Sequence, residues 1–363
     1  MTADRTRGSR TLTAIDLFSG SGGLTLGMKQ AGFKVLGAVE VDALSAGTYQ
    51  LNHPEVKLWT SDIRTLSPLE ILSALKLDVG EVDLVAGCPP CQGYSTIRTL
   101  RKSSSVYDDR NDLILELGRF VRGIRPRAVL MENVPGLAKD ARLQRLADDL
   151  GDIGFCVEGG VRILDAADYG VAQRRKRLVL MMAMGAQVPL PRKGDLVTVR
   201  TQIGTLPEAG KSGDRLHDLP ERRSERVKAL IKAIPKDGGS RRALGTAVQL
   251  PCHNRIDGFK DVYGRMAWDS VAPTITGGCH NPSKGRFIHP SEDRAITLRE
   301  AALLQGFPME YEFSSMAGKL ALAAMIGNAL PPPFGKAHSS AVASVLLRRS
   351  DQLVSPDGSF TIS

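Results

Sequence analysis

The chain has little cysteine: five residues in 363, an odd count too sparse for a disulfide framework. No uninterrupted apolar run approaches the ~18 residues of a membrane-spanning helix, so no membrane partner is expected. The first ten residues, MTADRTRGSR, lack the apolar core of a signal peptide, and a cytosolic protein is expected. Internal repeats and long low-complexity segments are also missing. What is there is ordinary for a globular protein, 42% apolar and 24% charged residues, which excludes wholesale disorder. The length suggests two domains and buries a core without disulfide or metal staples.

Charge is uneven rather than scarce. Of the net charge of +9, residues 171–260 hold the whole surplus, with 19 Lys/Arg against 8 Asp/Glu. A localised basic excess fits a binder of phosphate backbones; a solvated Arg/Lys face is the alternative.

Residues 1–10 read as a loose tail. Thr13–Phe18 (TAIDLF) reads as a buried strand and Leu24–Gln30 as a helix, followed by strands at Lys34–Val41 and Val82–Ala86. From Leu113, apolar residues recur at Leu117, Phe120, Val121 and Ile124, a helical period that Arg125-Pro126 ends. Ala128–Met131 reads as another strand, with β-rich runs around Val157–Leu164 and Leu178–Met184. Strands alternating with helices predict an α/β fold with a parallel, doubly wound sheet. From about Pro189 the periodicity stops, and residues 190–290 read as a smaller, irregular domain. Helical signals return at Thr297-Leu298-Arg299-Glu300, which has capping-box spacing, and a last amphipathic helix follows Pro331–Pro333.

Three junctions carry chemistry. The first strand runs into Phe18-Ser19-Gly20-Ser21-Gly22-Gly23 and a helix, a turn whose backbone can approach a ligand closely. Thr25 stands where a dinucleotide fingerprint has its third glycine, so NAD is not indicated. Glu40 ends the second strand, where an acid can hold ribose hydroxyls. Next, Gly87-Cys88-Pro89-Pro90-Cys91 ends a strand where ligands sit in open α/β sheets. A cysteine there can act as a nucleophile; a redox pair, half a zinc site or plain packing remain alternatives. A zinc site would want a second spaced pair, whereas Cys252-His253 and Cys279-His280 are adjacent couples, so no metal is expected. Finally, Glu132-Asn133-Val134 ends a strand, and a Glu there can protonate a ring nitrogen, cap a helix or form a salt bridge. In Gln173-Arg174-Arg175-Lys176-Arg177 the first, third and fifth residues share one face of a strand.

The order of these pieces is specific: DLFSGSGG at 16–23, Glu40, Asp62, PPCQ at 89–92, ENV at 132–134, QRRKR at 173–177, a basic stretch, RAITLREAALLQGFP at 294–308 and GNALPP at 327–332. This succession resembles the C5-type DNA cytosine methyltransferases over about residues 12–345. The resemblance implies a class I S-adenosylmethionine-dependent methyltransferase, Rossmann-like, with a doubly wound mixed sheet and a smaller target-recognition domain. The large domain would span 11–189, the recognition domain 190–290, an organising hinge 291–320, and 321–363 would return to the large domain.

By the same resemblance, S-adenosylmethionine is held by Phe18, Gly20, Gly23, Leu24, Glu40, Asp62, Pro90 and Asn328, and leaves as S-adenosylhomocysteine. Cys91 is the nucleophile, Glu132 binds the ring-nitrogen edge, and Arg175 helps hold the ring carbonyl. Gln92, Ser95 and Arg98, on a mobile loop running to Arg110, would contact DNA with Arg177 and Thr274. The expected partner is double-stranded DNA, and a cognate restriction endonuclease encoded nearby is a further expectation, with a monomer acting in the bacterial cytosol or nucleoid. The tRNA-modifying branch is the rival, but its Cys-Phe-Thr tripeptide is missing, since His253 follows Cys252.

Overall fold

The computed structural model describes residues 10–90, 112–245 and 261–353, with side chains through Arg348. Seven strands form one sheet: β1 (Leu12–Leu17), β2 (Phe33–Val39), β3 (Lys57–Trp59), β4 (Leu84–Gly87), β5 (Ala128–Asn133), β6 (Val161–Asp165) and β7 (Lys176–Ala183), in the order β3-β2-β1-β4-β5-β7-β6. The sequence makes β1, β4 and β5 almost wholly apolar because both faces are covered. Ala14, Leu84, Ala86, Ala128 and Leu130 pack with Met28, Tyr49, Phe334 and Val342 on one side. Their neighbours Ile15, Leu17, Val85, Val129 and Met131 pack with Ile71, Leu117, Phe120 and Leu146 on the other.

Helices α1 (Gly23–Gln30) and α2 (Ala43–Asn52) belong to the first layer, and α3 (Pro68–Leu75), α4 (Leu113–Ile124) and α5 (Ala141–Gly151) to the second. The periodic residues Leu117, Phe120, Val121 and Ile124 of α4 are all buried, and Arg125 ends the helix in a left-handed conformation (φ 55°) ahead of Pro126.

The sheet is mixed, as the family resemblance implies, and not wholly parallel as alternation alone predicts. β7 runs antiparallel to both β5 and β6. Between β6 and β7 stands only a short turn of 3-10 helix, Ala166–Tyr169, too little chain for a parallel crossover. The strand expected from Val157 starts at Val161, because Val157–Gly160 closes a turn in which the Gly160 N–H donates to the Val157 carbonyl at 2.9 Å.

Beyond the sheet, α6 (Val199–Ile203) and α7 (Glu225–Ala233) are short, and no described residue in 190–290 joins the sheet. A third core joins Val199, Ile203, Leu216, Met266 and Ile275 to α8 (Leu298–Leu304) and α9 (Lys319–Asn328). The predicted capping box is present: Thr297 Oγ1 accepts from the Glu300 N–H at 3.1 Å and Glu300 Oε2 from the Thr297 N–H at 2.7 Å. Arg265, which the sequence does not single out, is fully buried and donates to the carbonyls of Ile231 (2.9 Å) and His289 (2.8 Å) and to Asp293 Oδ1 (2.9 Å). It substitutes for a sheet in organising this irregular region. The chain returns through α10 (Pro332–Leu353), which packs on α1. No described helix is long and apolar enough to cross a membrane.

Candidate active site

The carboxyl edge of the sheet gathers most of the expected residues. After β1 the chain turns at once: Phe18, Gly20 and Gly22 all have left-handed backbones (φ 59°, 54° and 93°). Gly23 opens α1, and a Cβ there would lie 2.3 Å from the Leu330 carbonyl oxygen, so only glycine permits this approach. Leu24, next in α1, is buried. At the end of β2, Glu40 ties the turn, its Oε2 accepting from the Gly20 N–H and its Oε1 from the Asp42 N–H, both at 2.7 Å. Burial raises its carboxyl above the ordinary range, against the pull of those two donors. Asp62 follows β3; its Oδ1 accepts from the Arg64 N–H (3.0 Å) and its Oδ2 from the Arg64 guanidinium (2.5 Å). Arg64 thereby holds it below the usual carboxylate range.

A buried polar layer that sequence reading missed supports the turn. Thr25 donates to Asp16 Oδ2 at 2.6 Å and lies 2.9 Å from the Tyr49 hydroxyl. Burial pushes Asp16 up to about 7. Tyr311, from the segment after α8, donates to the Ser21 carbonyl at 2.5 Å, and His53 Nε2 lies 3.2 Å from the Gly22 carbonyl. Asp16 is legible as part of DLFSGSGG, but His53 and Tyr311 reach the turn only through the tertiary fold.

β4 delivers Cys88, Pro89 and Pro90, and Asn133 Nδ2 holds the Pro89 carbonyl at 3.0 Å. Cys91, Gln92, Ser95 and Arg98 lie outside the described residues, as does the loop to Arg110. The Cys88 thiol is pushed well up, first by burial and then by the negative charge of Glu132. Such a cysteine stays protonated and is a poor nucleophile.

Glu132 stands at the end of β5, with its side chain 12% exposed, and its Oε1 lies 2.9 Å from Arg177 Nε. The geometry at that oxygen makes an ion pair and no hydrogen bond. The pairing with Arg177 follows from register: Glu132 is opposite Val179, and the diagonal neighbour two residues on is within reach of a long side chain.

The two arginines thus differ from the sequence-based expectation. Arg175, expected at the base, is buried and donates from Nη1 to the carbonyls of Ile275 (3.0 Å) and Gly327 (3.1 Å) and from Nη2 to that of Ala329 (3.3 Å). Burial lowers it to about 9. Arg177, expected at DNA, is the one against Glu132. The shared face itself is as predicted: Gln173, Arg175 and Arg177 turn inward while Arg174 and Lys176 are exposed.

Thr274 spends its hydroxyl on the Arg174 carbonyl (2.7 Å), and the Ile275 N–H donates to Gln173 Oε1 (2.9 Å). Ala272 pairs with the same stretch, its N–H donating to the Ala172 carbonyl and its carbonyl accepting from the Arg174 N–H, both at 2.8 Å. Asn328 is exposed at the end of α9. Its neighbour Gly327 lies so close to the Thr276 backbone that a Cβ would stand 2.1 Å away.

A doubly wound sheet with one antiparallel strand, a glycine turn after β1 and an acid after β2 defines a class I methyltransferase. Over residues 12–343 the chain matches the family of C-5 cytosine-specific DNA methylases. It is 33% identical over 344 residues to the Type II methylase M.HgiDII of Herpetosiphon aurantiacus, covering 90% of this chain and 94% of that one. It is 32% identical to the Type II methyltransferase M1.HphI of Haemophilus parahaemolyticus, covering 92% and 87%. Among solved structures, a prophage-encoded E. coli protein assigned as a DNA modification methyltransferase superposes with a TM-score of 0.65 at 27% identity, over 92% of this chain and 99% of that one. The chain belongs to the C-5 cytosine-specific DNA methylases, and its activity is DNA cytosine-5 methyl transfer, a family chemistry that implies S-adenosylmethionine as methyl donor.

Proposed function

We propose that this chain methylates C5 of a cytosine flipped out of a specific duplex sequence, as the modification half of a restriction–modification pair, with Cys91 as nucleophile and Glu132 as the group on the ring-nitrogen edge. The observation that carries the reading is Glu132 at the edge of β5, paired with Arg177 and close to Cys88, three residues before Cys91 in the sequence. The Type II relatives support the restriction–modification role.

The turn suits S-adenosylmethionine. Among the described residues, no atom other than those of its chain neighbours lies within 4 Å of a Cβ built on Gly20, so ligand can approach that backbone. Glu40 suits a ribose diol, and Asp62 can accept from an adenine amino group. Phe18, Gly23, Leu24, Pro90 and Asn328 complete the proposed pocket. When bound, S-adenosylmethionine supplies an electrophilic methyl group on sulfonium sulfur.

The chain's residues do the rest. The Cys91 thiolate adds to C6, and electron density moves to C5, making it enamine-like. Glu132 passes a proton to N3 as negative charge develops on the ring, and Arg177 fixes its carboxyl group. Once C5 carries the methyl group, loss of its proton and elimination of Cys91 release 5-methylcytosine. The base has to leave the stack for this, at a cost of a few kcal/mol. Residues 190–290 form the proposed recognition region, and Gln92, Ser95 and Arg98 the DNA-facing loop; 291–320 would organise that region and 321–363 rejoin the large domain. One base is modified per visit, so a monomer suffices.

The test is incubation with labelled S-adenosylmethionine and either mixed-sequence duplex DNA or total tRNA, followed by bisulfite sequencing. Label on DNA with protected cytosines in one recurrent context is expected. Label on tRNA alone would overturn the substrate assignment.

A further inference from the structure

The last carbonyls of a helix find no partner inside it. Helix α9 ends at Asn328, and Pro331 and Pro332 close behind have no N–H to offer. Side chains from two other elements serve instead. Gln305, which follows α8 and is wholly buried, donates from Nε2 to the Ile326 carbonyl at 2.7 Å and to the Ala329 carbonyl at 3.1 Å. Arg175 holds the Gly327 carbonyl at 3.1 Å and shares that of Ala329 at 3.3 Å. The orientation of the Gln305 amide is forced. The Ile275 N–H can only donate, so Gln173 presents Oε1 to it at 2.9 Å. Gln173 Nε2 is left to donate to Gln305 Oε1, which turns Gln305 Nε2 toward α9. The carbonyls on both sides of Asn328 are thus pinned from behind, while Asn328 itself is exposed. A fixed backbone under an exposed side chain presents that side chain to a ligand with little freedom left to lose.

We propose that Gln305 is a positioning residue for S-adenosylmethionine binding: it fixes the end of α9 so that Asn328 meets the cofactor already oriented. Being wholly buried, Gln305 acts through Asn328 and does not touch the cofactor. The inference rests on the reading of Asn328 as part of the cofactor pocket.

The test measures the dissociation constant of S-adenosylmethionine by titration calorimetry on the folded parent, Gln305→Met, Asn328→Ala and the double variant. Methionine keeps the length of glutamine but donates nothing to the carbonyls. Each single variant is expected to bind about five- to tenfold more weakly, the effect of one hydrogen bond. Because Gln305 acts through Asn328, its substitution should change the constant by less than about twofold once residue 328 is alanine. A merely structural glutamine would weaken binding by the same factor in both backgrounds, which overturns the proposal, as does a parental constant in Gln305→Met. A parental constant in Asn328→Ala instead refutes the reading of Asn328, and the positioning role falls with it. Should Gln305→Met fail to fold, a structure of the parent with S-adenosylmethionine decides. Asn328 on the cofactor, with the Gln305 bonds to Ile326 and Ala329 intact, supports the proposal; an end of α9 that has let go of Gln305 refutes it.

Discussion

Cys88 and the proposed nucleophile Cys91 are expected to respond differently to substitution. Burial and Glu132 keep Cys88 a thiol, so Cys88→Ala is expected to leave methyl transfer within several-fold of the parent. Cys91→Ala is expected to abolish it while S-adenosylmethionine binding survives; assays of transfer and of cofactor binding on both variants check this. Equal loss in the two would refute the nucleophile assignment. The arginines divide in the same way. Arg177→Gln is expected to slow turnover at least tenfold, because the Glu132 carboxyl group loses the cation that fixes it, with the thermal midpoint nearly unchanged. Arg175→Met removes three carbonyl contacts and is expected to cost about 2–4 kcal/mol of stability in urea unfolding. The sequence shows that both arginines face inward, because a strand alternates. It does not show which one meets Glu132, since that follows from the antiparallel register of β5 and β7, which no local pattern encodes.

Elements with strong periodicity or explicit end signals were legible: β1, β5, α4, and the start of α8 at its capping box. Thr297→Ala removes that cap and the 2.9 Å contact with His217 Nδ1, and urea denaturation is expected to show a loss of about 1–2 kcal/mol. Elements whose form depends on distant chain were less legible. The direction of β7 depends on a short connection behind it, and the start of β6 on a turn ended by Gly160. Residues 190–290 gave no period because much of their order comes from side-chain-to-carbonyl bonds such as those of Arg265, and an isolated arginine in a basic stretch carries no sign of burial. His53 and Tyr311 were illegible for the same reason: each bonds across the fold to a segment far away in sequence.

Across the whole molecule, buried titrating groups set the response to acid. His53, His289 and His338 are each pushed from 6.5 down to about 4, chiefly by burial. Their stabilisation is present above pH 6.5 and is lost as pH falls toward 4, because the unfolded chain binds the protons first. At pH 5 each costs about 2 kcal/mol. Asp16 has the opposite sign. Raised from 3.8 to about 7, it contributes stability that is full below pH 3.8 and lost as pH rises through 7, so acidification to pH 5 returns about 2–3 kcal/mol. The histidines win, and the denaturant midpoint is expected to be lower at pH 5 than at pH 7. In Asp16→Asn, without the offset, the fall should be steeper.

The strap at Ala272–Ile275 also sets where this protein can be cut and respliced. Its partners are Ala172, Gln173 and Arg174 on one side, and next to it Thr276 abuts Gly327. On the proposed reading of residues 190–290 as the recognition region, a chimera that imports a relative's corresponding segment has a natural downstream junction just before Ala272. A graft ending there inherits the host's own lock on the catalytic sheet. One that runs past Gly277 brings a foreign strap to a host seat, and is expected to fold with its new specificity disconnected from methyl transfer.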